Sequence, residues 1–148
     1  MRVGIFLLIS LLSLSARADL LLQNGYVRGL PPGQNNTAAF LTLKNTGTTK
    51  VVLTSAKSNV AASAELHLHS MSADGVMSMA EVPAVSINAG QSFSFEPGAY
   101  HIMLLGLHKP LQSAQQVDMQ LIAQDGTVYR YTLPVISVLD EPAAPAHH

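Results

Sequence analysis

Apolar and polar residues alternate along most of this chain in short runs, each closed by turn-forming residues. The runs Leu21 to Arg28, Thr37 to Lys44, Lys50 to Ser55, Glu65 to Met71, Val76 to Glu81, Ser92 to Glu96, Tyr100 to Leu105, Gln116 to Ala123 and Thr127 to Pro134 all read as strands. Between them lie Pro31-Pro32-Gly33, Asn45-Thr46-Gly47, Asp74-Gly75, Ala89-Gly90, Pro97-Gly98 and Asp125-Gly126. Short strands punctuated this regularly predict an antiparallel sandwich or barrel. Asp125-Gly126 is the strongest hairpin signal, because both residue types tolerate the positive φ of a tight hairpin turn. No window sustains a 3.6-residue period, so long helices are not expected.

The N-terminus departs from this pattern. Arg2 precedes an almost wholly apolar run from Val3 to Leu14, and Ala16-Arg17-Ala18 follows as a small-x-small site. That order is expected of a secretory signal peptide, and the apolar run is too short for a membrane span. The expected organisation is therefore a leader over 1–18, one domain over 19–139 and a mobile Pro/Ala-rich tail over 140–148 ending in His147-His148. The expected location is the periplasm. Without Arg2 and Arg17 the chain keeps 6 basic and 9 acidic side chains, a net charge of −3. With no basic stripe, nucleic acid is not an expected class of partner; with no later apolar span, no membrane insertion is expected after cleavage. The chain is expected to act as a monomer.

The chemistry lies in histidine and methionine. The 148 residues contain no cysteine, which removes thiolate metal sites, CxxC redox chemistry and blue-copper ligation. Met71, Met77, Met79 and Met103 fall within one stretch that also holds His67, His69 and His101. Side chains alternate along a strand, so His67, His69 and Met71 share a face, with Leu66 and Leu68 turned to the core. His101 and Met103 likewise share a face opposite Tyr100, Ile102 and Leu104, and Met77 and Met79 share one. Three strands thus each offer two or more imidazole or thioether donors on one side, expected to meet near the surface. Neutral, soft thioethers select Cu(I) over Zn, Mg or Ca, which would want more carboxylate than Glu65, Asp74 and Glu81 supply. Single members have plainer readings: methionine fills cores, as expected for Met119 and open for Met77 and Met79. His108 reads as a loop residue.

The stretch Glu65-Leu66-His67, Gly75-Val76-Met77-Ser78-Met79 and Pro97-Gly98-Ala99-Tyr100-His101-Ile102-Met103-Leu104 resembles the periplasmic copper chaperones called PCu(A)C. Their signature is a His, a Met about eleven residues on, and His-x-Met after twenty-one more; here twenty-one residues separate Met79 from His101. The turn at Ser72-Ala73-Asp74-Gly75 is one residue longer than the family's. His67 follows Glu-Leu as the family histidine does, and His69 is its alternate. The resemblance implies a single-domain, cupredoxin-like Greek-key β-sandwich that is not an enzyme. It implies Cu(I) held by His67, Met79, His101 and Met103, with His69, Met71 and Met77 as alternates. It also implies delivery to a copper-accepting protein such as cytochrome oxidase subunit II, at the Cu(A) centre, alongside a thiol-bearing assembly factor. Copper buffering or resistance is the alternative function. A copper oxidase is less favoured, since it would want harder nitrogen ligands and a substrate pocket.

Overall fold

A computed structural model describes residues 19–143; the expected leader and the last five residues, His147 and His148 among them, lie outside the described residues. Ten strands follow in order: β1 (Leu20–Gly29), β2 (Asn36–Asn45), β3 (Val51–Ser58), β4 (Ala61–Met71), β5 (Met77–Glu81), β6 (Val85–Ile87), β7 (Ser92–Phe95), β8 (Tyr100–Leu107), β9 (Gln116–Ala123) and β10 (Val128–Ser137). They form one sheet in the order β5-β4-β8-β2-β1-β10-β9-β3-β6, with β7 paired to β2. A further pairing of β3 with β4, through Ala56 and Ala64, curls the sheet back on itself. The result is the all-β, cupredoxin-like sandwich that the sequence predicts.

The core is the inward parity of each strand. Ala39, Leu41 and Leu43 of β2, Ile102 and Leu104 of β8, Val117, Met119 and Leu121 of β9, and Leu133 and Val135 of β10 are all buried in it. Met119 is a core methionine, as its place between Val117 and Leu121 suggests. Two bulges correct the inward set. In β1 the register slips between Leu22 and Asn24, so Leu20 and Leu22 face inward before the slip and Val27 after it. In β3 a slip between Leu53 and Ser55 passes the inward role from Val51 and Leu53 to Ala56. An extra residue in one strand reverses every side chain beyond it. In β1 the reversal turns Tyr26 and Arg28 away from the core.

Two expectations need correction, and a third gains a detail. β6 was not visible as a strand, being three residues long; its Val85 and Ile87 are nonetheless core residues. Not every pairing is antiparallel, because β1 runs parallel to β10 with Val27 beside Val135. The expected mobile tail is anchored at its start. The Glu141 carboxylate accepts from Tyr26 Oη at 2.7 Å and from the Arg28 guanidinium at 2.7 and 2.8 Å. The Asn45 turn forms as predicted. Its fully buried side chain donates to the carbonyls of Thr49 and Ile87 and accepts from the Gly47 N–H, so its buried polar atoms are paired.

Candidate metal centre

Strand β4 lies between β5 and β8, and all three turn one parity outward. Directly opposed residues are His67 with Glu81, His69 with Met79 and Met71 with Met77 across β4–β5. Across β4–β8 they are Glu65 with Met103 and His67 with His101. Residues opposed across a sheet project from the same face, so these nine side chains form one ladder. Register thus brings together the donors that alternation had placed on three separate strands.

His67 occupies the middle rung. His101 is directly opposite, and Met79 and Met103 are each one rung away on the diagonal, about 7–8 Å between backbones and within reach of a long side chain. His69 is opposite Met79 and diagonal to His101, but two rungs from Met103. The ring centroids of His67 and His101 are 5.6 Å apart, and those of His69 and His101 4.9 Å. No three His, Cys, Asp or Glu side chains converge on a metal position among the described residues.

Hydrogen bonding distinguishes the two nitrogens of each central histidine. His67 Nε2 lies 2.7 Å from Glu65 Oε2. A carboxylate oxygen accepts, so Nε2 carries a hydrogen, and in the neutral ring Nδ1 then holds the lone pair. His101 Nδ1 lies 3.3 Å from the Ala99 carbonyl oxygen, which leaves the lone pair on Nε2. His67 Nδ1 and His101 Nε2 are both buried without a hydrogen-bond partner. An orphaned buried acceptor is costly unless something fills it. One ring nitrogen tied to a carboxylate or carbonyl and the other open is the usual arrangement of a metal-binding imidazole.

A depression of about 370 Å³ opens beside the ladder. His69, Met77, Met79, His101 and Met103 form one wall, and Arg28, Ala38, Phe40 and Pro97-Gly98 are among the residues opposite. His67 does not border it; its side chain is set back and 14% exposed. Although His101 points away from the main core, it is only 2% exposed, against an expectation of a site near the surface. The outer face of β2 is covered as well: Ala38 and Phe40 are buried there, and the Arg28 guanidinium sits 4.9 Å over the Phe40 ring. Burial pushes the His101 imidazole below its ordinary value. The Ala99 carbonyl opposes this, and the charges of His69, His67 and Arg28 add to the lowering. This lowering favours the neutral imidazole, the form that binds metal.

The alternates lie farther out. Met71 and Met77 are exposed at the tip of the β4–β5 hairpin, and His108 is an exposed residue beyond β8. The additional turn residue is absorbed in Ser72–Val76, where the Ser72 N–H donates to the Val76 carbonyl and Gly75 takes a positive φ of 78°. Glu65 as the partner of His67, and the wall of Arg28 and Phe40, were not foreseen as site residues. Strand parity could have given Glu65, two residues before His67. Nothing in the pattern signalled Arg28, whose direction depends on the bulge.

Ten strands in this order, with a methionine–histidine ladder on the outer face, define a β-sandwich of the PCuAC type. The apo PCuAC domain from PmoF1 superposes with a TM-score of 0.68 at 19% identity, over 82% of this chain and 97% of that one. The copper-bound PCuAC domain from PmoF2 gives 0.65 at 14% identity, over 82% and 96%. The Cu(I) form of DR1885 from Deinococcus radiodurans gives 0.65 at 28% identity, over 84% of each chain.

Residues 20–135 match the family described as "Putative lipoprotein LpqE-like", and the chain belongs to that family. The protein named "Putative lipoprotein Lxx21020", from Leifsonia xyli subsp. xyli (strain CTCB07), is 36% identical over 104 residues; the match spans 70% of this chain and 62% of the relative. A lipoprotein family is an exported family, and membership places this chain in the periplasm, as the N-terminal pattern predicts. None of its 148 residues is a cysteine that could carry a sulfur-linked lipid.

Proposed function

We propose that this protein binds one Cu(I) ion between β4, β5 and β8 and hands it to an acceptor protein in the periplasm. His67 and His101 supply nitrogen, and Met79 and Met103 supply sulfur. The observation that carries this reading is the pair of partnerless buried nitrogens, His67 Nδ1 and His101 Nε2, on facing rings 5.6 Å apart. Rungs of thioether on either side complete a soft, neutral donor set that suits a monovalent soft ion. The relatives of like fold include a copper-bound PCuAC domain and a Cu(I) form of DR1885.

His67 is assigned as the first ligand because only it neighbours Met79, His101 and Met103 together, and because Glu65 orients its ring. His69 lines the opening and ranks second. A neutral ligand set leaves bound Cu(I) with a net charge of +1 and lets an incoming donor displace one thioether at a time. No thiolate need be protonated for release. Nothing in this role calls for turnover, and we assign the protein as a carrier rather than an enzyme. The resemblance to PCu(A)C chaperones makes the Cu(A) centre of cytochrome oxidase subunit II the acceptor of choice, with a thiol-bearing assembly factor as the companion. X-ray absorption on the Cu(I)-loaded protein tests the site directly. Two nitrogen and two sulfur neighbours are expected; a shell of oxygen and nitrogen alone overturns the assignment.

A further inference from the structure

The β4–β5 hairpin exposes more thioether than one four-ligand site uses. Met71 and Met77 are directly opposite each other, 66% and 53% exposed, and Met79 is opposite His69 on the next rung. Four of the eight exposed large apolar side chains among the described residues (Met71, Val76, Met77 and Met79) belong to this one hairpin. Core packing does not account for Met71 and Met77, since neither reaches the core cluster. An edge hairpin with this much exposed apolar surface is a liability unless the surface is used. On the other face, the hydroxyls of Ser70 and Ser78 hydrogen-bond at 2.8 Å between the two rungs and hold the register.

Resting on the copper-carrier reading, we propose that Met71, Met77 and His69 form a second, outer soft-metal site through which Cu(I) enters and leaves. Met77 and His69 border the same depression as Met79, His101 and Met103, so soft donors continue from the exposed rim to the buried base. Directly opposed side chains start about 4.5–5.5 Å apart, and two flexible thioethers at that spacing can turn onto one ion. Met79 stands between the two sites, opposite His69 and one rung from His67. Transfer is a ligand exchange. A sulfur from Met71 or Met77 bonds to the ion as an inner donor lets go, Met79 stays bound throughout, and copper remains Cu(I) with no electron or proton moved. An acceptor's own donor would meet the ion first at the exposed rim, where Met71 and Met77 are the most open ligands.

The test is an anaerobic Cu(I) titration of protein carrying 13C-methyl methionine, with transfer to a chromophoric Cu(I) chelator timed by stopped flow. The first equivalent is expected to move the Met79 and Met103 methyl signals, and the second those of Met71 and Met77. The Met71→Leu/Met77→Leu variant, near-isosteric at two exposed positions, is expected to slow transfer about tenfold or more. Unmoved Met71 and Met77 methyls in the wild type, or equal transfer rates in wild type and variant, overturn the outer site while leaving the inner one standing. Failure of the first equivalent to bind overturns both.

Discussion

His67 and His101 face each other across the β4–β8 pairing with opposite ring nitrogens left open: Nδ1 on His67 and Nε2 on His101. The difference follows from their partners, a carboxylate side chain at one ring and a backbone carbonyl at the other. Long-range 1H–15N spectra of the Cu(I) form are expected to show metal on Nδ1 of His67 and Nε2 of His101. In Glu65→Ala the apo His67 ring should become a mixture of tautomers and Cu(I) affinity should fall about tenfold or more, the common cost of removing a ligand's outer partner. An unchanged tautomer would remove Glu65 from this role.

The joint variant Met79→Ala/Met103→Ala is expected to abolish tight Cu(I) binding while shifting the apo thermal midpoint little. Neither residue belongs to the core cluster, so the roughly 2–5 kcal/mol cost of a buried Met→Ala change should not appear. Competition against a Cu(I) chelator and a thermal melt check both halves.

His67→Ala should weaken Cu(I) binding at least about tenfold more than His69→Ala, a difference of roughly 1.4 kcal/mol. The reason is that His69 is two rungs from Met103. Equal losses would overturn His67 as the first ligand, and a reversed order would move that role to His69, the ring that lines the opening.

Acid should destabilise the apo fold through His101. Burial lowers its folded pKa below the ordinary 6.5. The unfolded chain therefore takes up a proton first as pH falls, and stability is lost between about 6.5 and the lowered value. His101→Gln is expected to flatten that part of the stability profile, measured by urea unfolding from pH 7.5 downward. An unaltered slope would show that His101 does not drive it.

Gly25→Ala should cost about 1–3 kcal/mol, read as a lower urea midpoint at unchanged slope. A Cβ at Gly25 would stand 2.8 Å from both Leu133 Cδ2 and Leu41 Cβ, and 3.1 Å from the Phe40 carbonyl oxygen. The crowding arises where β1 comes back into the core after its bulge, so Arg28 and Tyr26 on the same strand should loosen too.

In β4, β5 and β8, which carry no bulge, alternation alone determined which residues share a face. The separation of His67, His69 and Met71 from Leu66, and of His101 and Met103 from Ile102 and Leu104, was legible for that reason: a strand's period of two is a local property. The turns at Asn45 and at Asp125-Gly126 were legible on the same grounds, through residue types that suit tight backbone. Strand order and register were not local. Only the folded sheet set β4 between β5 and β8, placed His67 against His101, and put His69 two rungs from Met103. The bulge in β1 gave no local signal either, yet it aims Arg28 over Phe40 and toward Glu141, and so builds the far wall of the depression and ties down the start of the tail. Pairing partners come from distant parts of the chain, and their choice depends on how all the inward faces pack together, which no window of sequence contains.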